Sequence, residues 1–159
     1  MRHCAAFCKI AFSIRSTPAA LHADALAEFD TSVRTCFEDL SGLRPSDGQW
    51  DQASLAVSMG GLGLRDCRRH AAAAFISSRT RSFDKCQELD RHHTWDGDVD
   101  GSALQAAVRH FNDFVQEGDR LILQSGTTYA QRDLNHSIDI AIHKHLWKEL
   151  IFPRGRACN

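Results

Sequence analysis

The chain has 159 residues, 19 basic against 20 acidic, a formal net charge of −1 and an apolar fraction of 43%. That length suits one domain with a real core or two small helical lobes, and the composition excludes wholesale disorder. The charge balance argues against a free-standing nucleic-acid binder, and no apolar run reaches the length of a membrane span.

Six cysteines (Cys4, Cys8, Cys36, Cys67, Cys86, Cys158) are scattered without a Cys-x-x-Cys pair. The N-terminal stretch is short and broken by Cys4, Cys8 and Lys9, so it does not form a signal peptide. The cysteines then read as reduced thiols of an intracellular protein, cytoplasmic or nuclear.

Taken in chain order, nearly everything reads as helix. Cys4 to Arg15 looks like the tail of a helix. Thr17 and Pro18 then form a start signal, as N-cap and first helical residue, for a long helix. Its apolar stripe is Leu21, Ala25, Phe29, Val33, Cys36 or Phe37, and Leu40, and Gly42 is placed to end it in a left-handed C-cap. Arg44 to Gly48 reads as a turn, and Gln49 to Leu55 as a short helix presenting Trp50 and Leu55 to the core. Gly60, Gly61 and Gly63 make a sharp bend. Asp66 to Leu89 is helical again, with Ala71 to Ala74 small on every face and suited to close helix approach. Arg91 to Gly101 is a polar connector. Leu104, Val108, Phe111 and Val115 mark one further amphipathic helix. Leu134, Ile138, Ile142, Leu146 and Leu150 mark a last one, ending near Ile151 before a frayed tail at Pro153 to Arg156. The only strand candidate is Arg120 to Gln124.

The expected fold is therefore all-α: an irregular bundle of four to five main helices, in two lobes joined near residues 90 to 101. The divisions fall at residues 1–91, an acidic connector at 92–101, and a C-terminal helical region at 102–159.

Four chemistries can be weighed from motifs. Gly61-x-Gly63 lacks the third glycine and the preceding strand of a dinucleotide fingerprint, and Asp66 would repel a pyrophosphate, so the turn reads as structural. Asp96-Gly97-Asp98-Val99-Asp100-Gly101 matches the first half of an EF-hand loop. Its twelfth position, however, is Ala107 where a bidentate glutamate belongs. Calcium at Asp96, Asp98 and Asp100 stands against an acidic loop that favours the next helix N-terminus. Cys4-x3-Cys8, His92-His93 and His143/His145 do not make paired zinc-ligand clusters, so no metal and no cofactor is expected. No Asp-Asp pair occurs, although nucleotidyl transfer needs clustered carboxylates to hold two magnesium ions; no polymerase activity and no catalytic residue are expected.

Charge is uneven along the chain. Asp24 to Asp51 carries seven acidic and two basic residues, whereas Arg65 to Arg81 carries five arginines and one aspartate. Arg65, Arg68, Arg69 and Arg79 would share a broad sector of one continuous helix, interrupted by Phe75 and Ile76. With Arg81 they are the candidate phosphate contacts, weighed against a plain solvated basic surface.

Trp50-x-x-Ala53-x-Leu55, then Gly60-Gly61-Leu62-Gly63-Leu64-Arg65 and an alanine-rich helix, resembles the region just downstream of the polymerase core in reverse transcriptases of non-LTR retroelements. Lys9 to Arg15 with Pro18, Leu26-x-x-Phe29-Asp30-x-x-Val33, and more loosely Gln131-Arg132-x-Leu134 extend the resemblance over most of the chain. Ala56 departs from it, standing where the family usually has proline. The resemblance implies a helical thumb or connection that cradles an RNA–DNA duplex, and it begins after the catalytic palm. It carries over no catalytic residue. The expectation is a non-catalytic piece of such an enzyme, truncated or domesticated, with RNA or an RNA–DNA hybrid as partner and no membrane. The alternative is a helical protein-interaction module, or a decayed product without independent function. Apolar faces that packed on a lost palm would then self-associate.

Overall fold

The computed structural model describes residues 7–151, with side chains described from residue 8 to 148. The expectations for Cys4, Cys158, Leu150 and the tail from Pro153 lie outside these residues. Six α-helices account for the architecture: α1 (Ala11–Ser16), α2 (Ala23–Ser41), α3 (Asp47–Ser54), α4 (Cys67–Leu89), α5 (Ala103–Phe114) and α6 (Gln131–Ile151). Short 3-10 turns link them, and no strand occurs among the described residues. The protein is an all-α helical bundle.

Helix α4 is its axis. Every residue from His70 to Ser77 is buried, a length of helix with no solvent face. Its small side chains let two hydrophobic clusters meet across it. Cys67, Ala71 and Ala74 face Ile14 of α1 and Leu26 of α2, with Phe29 alongside. Ala72, Ala73 and Ile76 face Leu55, Trp95, and the apolar stripes of α5 and α6. Residues before and after the 92–101 segment thus share one cluster. The i, i+3, i+4 spacing sorts the alanines to the two sides. A larger residue at any of them would have to push apart helices that now touch.

The periodicity of α5 and α6 holds: Leu104, Val108, Phe111 and Val115, then Leu134, Ile138, Ile142 and Leu146, are all buried. Gly42 ends α2 in the left-handed region at φ +70°, its N–H donating to the Glu38 carbonyl.

Four local expectations are corrected. Pro18 is extended (φ −56°, ψ 135°), so it opens a 3-10 turn at Ala19–Leu21 and α2 starts only at Ala23. Leu21 therefore lies outside the helix, Leu21 and Leu40 are exposed, and the buried line runs through Leu26 and Val33. Helix α3 starts before Gln49, because Ser46 and Gln49 form a reciprocal capping box. Trp50 is only half-buried: it packs on Phe37 at 5.6 Å between ring centroids and under Arg34 at 5.7 Å, joining α3 to α2. Arg120 to Gln124 pairs with no strand, since the Asn112 side chain takes both backbone groups of Leu121, at 2.7 and 2.9 Å.

The glycine bend folds back onto α3. Leu62 N–H donates to Ala53 O at 2.9 Å and Gly63 N–H to Leu55 O at 2.8 Å, while the Gln52 amide donates to Gly60 O at 3.1 Å. Gly60 and Gly63 have φ +79° and +70°. Gly61 is needed for another reason: a Cβ there would run into the Leu55 carbonyl. Backbone cannot step aside as a side-chain tip can. We predict that Gly61→Ala lowers stability by more than about 2 kcal/mol. Gly42→Ala, with left-handed backbone but open space around it, should cost about 1 kcal/mol. Urea denaturation of the two variants checks the order, and equal losses would contradict it.

Candidate nucleic-acid interface

The candidate arginines surround the first turns of α4. A helix partly buried at its N-terminus has backbone N–H groups with limited access to water, and these need acceptors from the protein. Asp66 caps its own helix, accepting from Arg69 N–H at 3.0 Å. Asp30 reaches across from α2 and accepts from Cys67 N–H at 2.8 Å and Arg68 N–H at 3.2 Å. Two carboxylates thus serve one helix end. Burial pushes the Asp30 carboxyl up to about 6, and the neighbouring charge of Asp66 adds to the rise, against the pull of the two N–H donors. Burial, with Asp30 close by, also pushes the Cys67 thiol up. Cys67 is therefore a packing residue and not a thiolate nucleophile at neutral pH.

Arg65 lies before the helix, so it does not share a helical sector with the other arginines. It comes at the end of the glycine bend and bonds the buried carboxylate of Asp139 on α6 at 2.8 Å. His70, fully buried, sits 3.5 Å from the other oxygen of Asp139, and its Nδ1 lies 2.9 Å from the Asp66 carbonyl oxygen. Burial alone would raise the Asp139 carboxyl, but the contact with His70 and the charge of Arg65 outweigh it and hold it below the ordinary range.

Arg69 pairs with Asp51 at 2.7 Å. Arg79 pairs with Asp96. Arg68 has only long contacts, 3.6 Å to Asp30 and 3.7 Å to Asp66, and its side chain is 57% exposed. Arg81 is exposed and forms no ion pair among the described residues. Of the five candidates, three are thus held by carboxylates of the chain, and Arg68 and Arg81 keep a free face toward solvent. The residues that sequence reasoning missed are those acids: Asp30, Asp51, Asp96 and Asp139. One signal pointed to two of them, because the acidic segment that includes Asp30 and Asp51 complements the arginine segment it packs against.

The acidic loop is also built into the fold. Gly97 lies under the Trp95 indole with no room for a Cβ. Its carbonyl accepts from the Gln105 amide at 2.9 Å. Asp98 and Asp100 are exposed. Among the described residues no three His, Cys, Asp or Glu side chains come together as a cation site.

Beside Arg68 and Arg69 runs an apolar groove of about 720 Å³ between the turn before α2 and helix α5. Its floor includes Ala72, and Phe114 and Leu21 stand at its edges. No helix of the described residues is long and apolar enough to cross a membrane. Comparison with models of protein families, with curated proteins and with solved structures finds no match.

Two outcomes follow from this geometry. Arg65→Ala leaves the buried Asp139 with His70 as its one remaining charged neighbour and should cost about 2 kcal/mol, whereas Arg81→Ala should change stability by less than about 0.5 kcal/mol; denaturant titration separates them. The sign of the Asp30 effect is also fixed. Its folded value of about 6 exceeds the ordinary 3.8, so between these values the folded state binds more protons than the unfolded state. Stability should therefore rise as pH falls from 7 toward 5. Asp66→Asn keeps a competent cap while removing the repulsion, so it should lessen that rise without abolishing it, because burial, the larger cause, remains. A stability that falls steadily from pH 7 to 5 would contradict the assignment.

Proposed function

We propose that this chain is a non-catalytic helical scaffold, related to the thumb or connection of a non-LTR reverse transcriptase. In this reading it lies along an RNA or RNA–DNA duplex and touches phosphates through Arg68 and Arg81. The observation that carries the reading is the use made of the Trp50–Arg65 signature. Its glycines form the bend onto α3, its arginine locks α6, and the alanine run after it builds the axis of the bundle. A signature spent wholly on architecture suits a module that holds a shape for a neighbouring enzyme. No Asp-Asp pair is present to bind catalytic magnesium. The free cysteines at Cys36, Cys67 and Cys86 suit a reducing intracellular compartment, nuclear or cytoplasmic.

With only two of the five candidate arginines facing solvent, the duplex contact is weak and salt-sensitive. Each phosphate neutralised adds a slope of about −0.9 to log K against log salt. Fluorescence anisotropy with a labelled RNA–DNA hybrid should give a slope near about −2, and the double variant Arg68→Gln, Arg81→Gln should bring it close to zero. Absence of binding even at low salt would sink the duplex contact.

A second reading, a helical protein-interaction module, is favoured by one observation: large apolar side chains stand exposed, with Phe12 at 84%, Leu21 at 77% and Leu89 at 91%. In that reading such faces are covered by a partner or by self-association.

A further inference from the structure

We propose that the groove between the turn before α2 and helix α5 docks an amphipathic helix of a partner protein, one that carries a carboxylate beside Arg68. This goes beyond the duplex contact and does not depend on it.

Helix α5 has two apolar faces and buries only one. Leu104, Val108 and Phe111 face the core. Ala103, Ala106, Ala107, His110 and Phe114 follow one another at helical spacing along the wall of the groove. Ala103, Ala106, His110 and Phe114 are exposed. Across the gap, Ala20, Ala23 and Leu21 form the opposite wall, and Leu21 is 77% exposed. This is an apolar trough with short side chains on both sides and a larger apolar residue at each edge. A helix can approach such walls closely, as α4 approaches its own neighbours through alanine.

The charge of the lining specifies the occupant further. Its ionisable side chains are Arg68, Arg69 and His110, with no Asp or Glu among them. Asp51 already holds Arg69 at 2.7 Å, whereas Arg68 has only contacts of 3.6 and 3.7 Å and remains 57% exposed. A carboxylate on the occupant would give Arg68 the short partner it lacks.

Backbone chemistry selects a helix over an extended segment. One wall is helix α5 and the other a 3-10 turn running into α2, and neither is a free sheet edge, so an extended peptide would find no ladder of partners for its N–H and C=O groups. A helix satisfies its own. Helix α5 offers a wall about 18 Å long, enough for about three turns of a partner.

The test uses a labelled peptide of about fifteen residues, with leucines at i, i+3, i+4 and i+7 and two glutamates at one end of that face. Its counterpart has lysines for the glutamates. Anisotropy titration of the intact protein should show saturable binding of the acidic peptide, and at least tenfold weaker binding of the basic one. Ala106→Trp fills the trough from an exposed position, so the helical circular dichroism spectrum should be unchanged while the acidic peptide loses tenfold or more in affinity. Arg68→Gln should remove most of the difference between the two peptides. Ala106→Trp should leave hybrid binding intact, so failure of the groove and failure of the duplex contact are distinguishable. No saturable binding of the acidic peptide up to about 1 mM, equal binding of both peptides, or full affinity in Ala106→Trp would each overturn the proposal. So would palmitate displacing the peptide as the tighter occupant, which would assign the groove to a small apolar carboxylate.

Discussion

A helix buried at its N-terminus must find acceptors for its first N–H groups within the protein, and the rest of this fold depends on how α4 does so. Its own cap, Asp66, serves Arg69 N–H, and Asp30 serves Cys67 and Arg68 N–H from the middle of α2. An unsatisfied buried donor costs about 1–3 kcal/mol, and losing Asp30 would leave the Cys67 N–H in that state, while the exposed Arg68 N–H would turn to water. The same bonds fix where α2 crosses α4, and hence where Leu26 and Phe29 meet Ala71 and Ala74. The arrangement has its own cost. Two carboxylates close together in a buried place raise the Asp30 value toward neutrality. The fold tolerates that repulsion because the alternative is a helix end without partners.

From this end the other constraints follow in sequence. The glycine bend delivers Arg65 to Asp139, which ties the start of α4 to α6. The alanine run then passes between two hydrophobic clusters that would otherwise be separate. The arginines around it serve mostly to neutralise acids the fold has placed nearby. A segment that looks basic along the chain is therefore nearly balanced in space. The surface that remains is modest in charge and unusually apolar beside α5.

Much of the architecture was legible because it rests on short-range rules. The stripes of α5 and α6 are read directly from spacing, Gly42 marks the end of α2 through its left-handed backbone, and Ala71 to Ala74 announce close packing by size alone. Misreadings arose where two local signals competed. Thr17-Pro18 is a good helix start, but extended backbone at Pro18 deferred the helix to Ala23 and left Leu21 outside it, while Leu40, on the same face as Leu26 and Val33, lies at the exposed end of α2. Ser46 and Gln49 formed a capping box inside what composition presents as a turn. The candidate interface was the least legible part. Asp139 lies 74 positions from Arg65, Asp51 18 from Arg69, and Asp96 17 from Arg79. Spacing says nothing about such pairs, and only the unlike charge of the 24–51 and 65–81 segments hinted at them.

The central claim, that the buried start of α4 holds the bundle together, is tested most directly by native-state hydrogen exchange. If the claim is right, the amides of Cys67, Arg68 and residues 71–76 are the slowest in the molecule and exchange only through global unfolding. Their opening free energies should then match the value from denaturant melts. If those amides exchange faster than those of α5 or α6, through a local opening well below the global free energy, α4 is not the element on which the fold depends.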